Sequence, residues 1–150
     1  MLPQHLIEMV KEDLVKHEGY VTEIYLDSEN LPTFGIGHLV TENDMEFTWP
    51  VGTPVTDERI LQVFHDDCKV AVTDAECIFD DVLSHPDNVV RVLVNMAFNL
   101  GRTRLSKFKN MVAAVNDKDY ERAADEMIDS KWYRQVKTRG VELVELMRGA

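Results

Sequence analysis

The stretch HEGYVTEIYLDSENLPTFGIGH, residues 17–38, changes texture twice within 22 residues. A helical pattern ends at Glu18-Gly19, and a segment rich in Tyr, Ile and Thr then runs into an Asp-Ser-Glu-Asn cluster, Pro32, Gly35 and Gly37. Aromatic and β-branched residues punctuated by turn formers read as short antiparallel strands. Upstream, LIEMVKEDLVK places Leu6, Val10 and Leu14 one helical turn apart with charges between them, an amphipathic helix that ends near His17 to Gly19.

Working outward, residues 41–55 contain two prolines and a glycine and read as an irregular connection. Thr56-Asp57-Glu58 starts a helix, with acidic groups in the first turn where the helix dipole favours them. One long helix over residues 57–79 is predicted. Pro86-Asp87 opens another, and NVVRVLVNMAFNLG is apolar on nearly every side before Gly101 stops it, so it belongs at the centre of a core. Shorter helices are expected over residues 106–116, 118–130 and 138 to the C-terminus. The layout is α+β and mainly helical, one domain over residues 1–150. A small β-containing lobe, about 18–56, is joined by the bridging helix 57–79 to a helical lobe, about 1–17 and 72–150. Ligand clefts form at such junctions.

With 45% hydrophobic residues and six Phe in 150 positions, the chain can build a substantial core. Its net charge of −11 argues against a nucleic-acid partner, because phosphate backbones are bound chiefly through Lys and Arg. The same charge is unfavourable on an anionic polymer. There is no apolar run long enough for a membrane anchor. The N-terminus lacks the basic start, apolar stretch and cleavage site of a signal peptide, so synthesis in the cytoplasm is expected. Cys68 and Cys77 stand nine positions apart on one helix, half a turn out of phase. They cannot pair and read as reduced thiols in or near the core, with no ligand spacing for a metal.

Two carboxylates in unlike settings carry the chemistry. Glu18 falls at a helix C-terminus, where partial negative charge favours the protonated form that a general acid needs. Asp27 lies beside a polar turn, where solvation keeps it ionised. Such a pair can divide the acid and base roles of glycoside hydrolysis, and the Thr33 hydroxyl can hold a water. On composition alone the same residues also read as a helix end and a solvated turn.

The spacing of these residues resembles that of the T-even phage lysozymes, glycoside hydrolase family 24. Glu18-Gly19 is followed after nine positions by Asp27, after six more by Thr33, and then by Gly35-Ile36-Gly37-His38. The resemblance implies a two-lobed lysozyme-like fold with catalytic Glu18, Asp27 and Thr33, and substrate contacts at Gly37, Leu39, Phe98 and Asn99. It also implies support from a His38–Asp67 pair and from Arg139, which in the family approaches the catalytic glutamate and favours its carboxylate. The charge state of Glu18 is thereby left open. The resemblance further implies an endo-acting muramidase that cleaves the β-1,4 bond between N-acetylmuramic acid and N-acetylglucosamine with inversion. The expected partner is bacterial peptidoglycan, with no cofactor or metal, a monomeric enzyme, and action on the wall after release from the host or from a virion. Lobe motion about the bridging helix is expected to admit the glycan.

The connection after His38 is shorter than is usual in that family, and Met111 and Glu126 replace its sugar-contacting side chains. Trp132 and Tyr133 are expected to pack the closing helices rather than stack on sugars. A lytic transglycosylase would need an acid but no aspartate, so Asp27 and Thr33 speak against it. A non-catalytic wall-binding module of a phage particle is the alternative of another class.

Overall fold

The computed structural model describes residues 2–150. The chain starts with α1 (Gln4–Glu18), which buries Leu6, Val10 and Leu14 along one stripe as the turn-by-turn spacing predicts. It ends where expected because Gly19 adopts a φ of +81°, a conformation that ends helices at little cost only for glycine. Three antiparallel strands follow: β1 (Val21–Leu26), β2 (Pro32–Gly35) and β3 (His38–Leu39), in that order across the sheet. Residues 41–55 contain no α-helix. A 3-10 turn at Met45–Thr48 is followed by a return past the outer edge of β1, where Ile24 N–H donates to Thr53 and Val55 N–H donates to Thr22. The edge of β1 is thus covered rather than left open for another chain.

Then come α2 (Asp57–Ile78), α3 (Asp87–Ser106), α4 (Lys109–Asn116), α5 (Tyr120–Ile128), α6 (Lys131–Val136) and α7 (Thr138–Arg148). The long helix matches its expected span to within one residue. Gly101 breaks α3 with φ 78° and ψ 165°, yet the helical path resumes as far as Ser106. The expected helix 106–116 therefore starts late, at Lys109, after Phe108 leaves helical geometry. The expected helix 118–130 is shorter because Lys118 has φ +58° and Asp119 caps the helix at Arg122 N–H. A further helix, α6, goes beyond the expected helices; it is capped by the Ser130 hydroxyl accepting from Tyr133 N–H.

Residues Lys11–Lys69 form one compact unit, and the remaining described residues, up to Val10 and from Val70 to Ala150, form the other. In the first unit Ile24, Phe34, Ile36 and Ile60 are fully buried. In the second, α3 carries buried residues on all sides, from Val89 through Ala97 apart from Arg91. There α7 packs on α3, α5 and α6, and α5 packs on α4. Cys68 is buried and Cys77 is exposed, and both are free, which corrects the expectation that both lie in or near the core. Nine residues at 100° each turn the helix by half a revolution, so one face cannot bury both. Burial pushes the Cys68 thiol up to about 12, which leaves it inert as a nucleophile at neutral pH. Among the described residues, no helix is long and apolar enough to cross a membrane.

Candidate active site

The unit Lys11–Lys69 gathers Glu18, Asp27, Thr33, Gly37, Leu39, His38 and Asp67. Glu18 is the last residue of α1 and is half-buried. The chain at Gly37 passes close by: a Cβ built there would stand 2.7 Å from Glu18 Oε1, and Gly37 has φ +65°. Glycine is thus required twice at this position, for the left-handed backbone and for the close approach.

Asp27 follows the last residue of β1. Its Oδ1 accepts from Glu29 N–H at 2.8 Å and from Leu31 N–H at 2.9 Å, so the turn 27–31 is built on the carboxylate itself. Among the described residues, nothing donates to its Oδ2. Thr33 is buried at 4% exposure, and its hydroxyl donates to the Leu31 carbonyl at 2.9 Å. The hydroxyl proton is therefore committed, and the oxygen is left with acceptor capacity only.

The strand register aligns three side chains in one row. Tyr25 stands opposite Thr33 across β1 and β2, and Thr33 stands opposite Leu39 across β2 and β3. Directly paired residues share a face of the sheet, and Asp27, two residues beyond Tyr25, continues that face. Tyr25 is half-buried. Burial, and then the negative charges of Glu18 and Asp27, raise its phenol above the ordinary value of 10.0. Leu39 is 46% exposed.

On the opposite face, Phe34 pairs with His38, their rings 5.0 Å apart. His38 Nδ1 lies 2.6 Å from Asp67 Oδ2, as the resemblance implied, and its Nε2 lies 2.9 Å from Asp44 Oδ2. Burial alone would lower the imidazole pKa, but the two carboxylates outweigh it and raise it above 6.5. For Asp44, burial acts upward, yet donors from Thr41 and the charge of His38 outweigh it and hold the carboxyl below its usual range. Asp44 was missed in the sequence reading, because a partner six residues away in an irregular loop leaves no periodic signal. Next to it, Glu46 is buried and receives a two-pronged contact from Arg59, at 2.8 Å through Nε and 3.0 Å through Nη2. This planar pairing is the one for which guanidinium is suited.

Phe98, Asn99 and Arg139 belong to the other unit. Phe98 and Asn99 are half-buried near the end of the first stretch of α3. Asn99 Oδ1 accepts from Trp132 Nε1 at 2.8 Å, so one side of its amide is already engaged. Arg139 is buried and donates from Nε to Asn95 Oδ1 at 2.9 Å. Trp132 is buried at 4% exposure and meets Phe108 edge to face. A groove of about 560 Å3 in this unit is lined by Leu100, Phe108, Met111 and Trp132 together with Lys107 and Lys131. Met111 is buried there and Glu126 is half-buried. Among the described residues, no group of three or more His, Cys, Asp or Glu could hold a metal ion.

Comparison with known proteins matches residues 15–148 to the family model described as phage lysozyme. The peptidoglycan hydrolase gp36 of Pseudomonas phage phiKMV is 29% identical over 98% of this chain, and the pre-baseplate central spike protein Gp5 of Enterobacteria phage T4 is 28% identical over 89%. The chain spans only 16% and 26% of the length of these two relatives. The probable T4-type lysozyme 2 of Dictyostelium discoideum is 26% identical, with 94% of each chain covered. With the model matched from the end of α1 to the last turn of α7, the chain belongs to the phage lysozyme family.

Proposed function

We propose that the protein is an endo-acting muramidase that hydrolyses the β-1,4 bond between N-acetylmuramic acid and N-acetylglucosamine in bacterial peptidoglycan. The observation that carries the reading is the arrangement around Asp27. Two backbone N–H groups fix its Oδ1 while Oδ2 accepts from no described residue, which suits a base that must hold a water in one orientation. Thr33, its proton given to Leu31, can only accept from that water. The two acceptors then hold the water through its two O–H groups, Asp27 removing one proton as the oxygen lone pair attacks the anomeric carbon and the other proton staying on the new hydroxyl.

Glu18 supplies the proton to the leaving oxygen, and attack from the opposite face inverts the anomeric centre. Gly37, by carrying no side chain, lets the chain pack against the Glu18 carboxyl and limits its range. Phe98 and Asn99, in the other unit, are assigned to substrate contact. The relatives named as a peptidoglycan hydrolase and as T4-type lysozymes support the substrate class. The enzyme would reach the wall after release from the host cell or as part of a virion, and would act without a cofactor.

The test is mass spectrometry of soluble products from purified peptidoglycan treated with wild type, Glu18→Gln and Asp27→Asn. Reducing muramic ends from wild type, lost by at least about a hundredfold in both variants, are expected. Anhydro-muramic ends would instead identify a transglycosylase, and sedimentation with the wall without products would identify a binding module.

A further inference from the structure

Around the proposed scissile bond the hydrogen-bonding groups are nearly all acceptors. The Asp27 carboxylate accepts only, and the Thr33 proton is committed to the Leu31 carbonyl. The proton on Glu18 is the one consumed in the reaction. Sugar hydroxyls and an acetamido carbonyl also present acceptor lone pairs, so a site built from these three residues alone lacks a neutral donor to hold them. Tyr25 stands directly opposite Thr33 in the strand register, in a row that ends at Leu39, and two residues before Asp27 on the same face. Its phenol is half-buried, and burial, with the Asp27 carboxylate beside it, keeps it protonated. No described residue takes its proton.

We propose that Tyr25 is a further substrate-contacting residue, its phenol donating a hydrogen bond to a hydroxyl or acetamido oxygen of the sugar bound over the Tyr25–Thr33–Leu39 row. This rests on the muramidase reading and adds to it. The residue does not titrate in the working range, since a phenol held above 10.0 remains a donor at neutral pH. Phenylalanine at this position keeps the ring and its packing and removes only the donor, so a purely structural tyrosine would not distinguish the two side chains.

The experiment uses the full chain and uncross-linked glycan strands prepared from peptidoglycan as the probe. Turnover is compared between wild type and Tyr25→Phe. Equilibrium binding is compared between Glu18→Gln and Glu18→Gln/Tyr25→Phe, and thermal unfolding is followed in all four. Loss of one neutral hydrogen bond predicts a drop of roughly tenfold in kcat/KM and a matching weakening of binding, with no change in unfolding temperature. Unchanged turnover and unchanged binding would overturn the role of Tyr25 and leave the muramidase reading standing. A fall in turnover without weaker binding would overturn the sugar contact as well. If wild type releases no product, the muramidase reading fails, and the binding comparison alone then decides on Tyr25.

Discussion

Gly35 and Gly37 are two residues apart and adopt nearly the same left-handed backbone, with φ of +66° and +65°. What each would meet on gaining a methyl group separates fold from function. At Gly35 the methyl would stand 2.8 Å from Ile60 Cγ2, a fully buried side chain. At Gly37 it would stand 2.7 Å from Glu18 Oε1, the far end of a flexible carboxylate. Gly35→Ala is expected to lose about 1–2 kcal/mol for the backbone and about 1–3 kcal/mol more for overpacking. Gly37→Ala is expected to lose only the backbone part but to displace Glu18, the proposed acid. A shift of about 1 Å in a reacting group costs on the order of a hundredfold in rate. Urea unfolding alongside kcat on peptidoglycan checks the contrast; equal activity of the two variants at matched stability would contradict it. Both glycines stood in the motif that carried the resemblance, but only the packing tells which neighbour each one accommodates.

At the scale of elements, the loop between β3 and α2 is held by charge rather than by regular structure. Asp44 and Asp67 grip the two nitrogens of His38, and Arg59 grips buried Glu46. The His38 pKa is raised in the folded state above 6.5. Its contribution to stability is therefore complete below the unfolded value and is lost as pH rises through the folded one. The Asp44 carboxyl is depressed from 3.8, so its contribution is present above that value and is lost as pH falls through the folded one. Together these pairs favour the window between about pH 4 and 6.5. In His38→Asn, the stability deficit measured by urea unfolding is expected to be largest within that window and to shrink toward alkaline pH. A deficit independent of pH would contradict the assignment.

The Glu46–Arg59 pair makes a second test at this scale. Arg59→Met leaves a buried carboxylate without its cation, a loss of about 3–5 kcal/mol. Adding Glu46→Leu removes the stranded charge and is expected to recover most of that loss. Chemical denaturation of the single and double variants checks it. This loop was legible in sequence only as irregular, because prolines and glycine announce the absence of a helix without announcing what replaces it. The helix α1 was legible because its apolar spacing repeats with the helical turn, α2 from its acidic first turn, and the first stretch of α3 from a run apolar on nearly every side. The limits of α4 to α6 were not, since they are set by single residues leaving helical geometry, at Phe108 and Lys118.

For the whole molecule, net charge and the central helix are the governing quantities. The chain carries −11, and peptidoglycan stem peptides carry carboxylates, so with the proposed substrate the two would repel at low salt. Screening shortens that repulsion to a Debye length of about 8 Å at 0.15 M ionic strength. Activity on whole peptidoglycan is expected to rise severalfold between about 0.01 M and 0.15 M salt. Activity on a short uncharged oligosaccharide is expected to stay level, and a fall with salt on the polymer would contradict this. Within the unit that contains it, α3 buries Leu93 and Met96 completely. Leu93→Ala is expected to lose about 2–5 kcal/mol through the cavity it opens, as measured by unfolding.

The sequence by itself determined the α+β class, the span of the long helix α2 and the candidate carboxylates, because each depends on composition or on short-range spacing. A helical stripe, a glycine stop and a motif at set separations are properties of neighbours along the chain. Only the tertiary structure decided that Thr33 has no proton to spare, that Tyr25 stands across from it, and that His38 has a second carboxylate in Asp44. It also decided that Cys77 faces outward while Cys68 is buried. Hydrogen-bond partners and cross-strand register depend on how segments distant in sequence are brought together, and no periodicity within one segment encodes them.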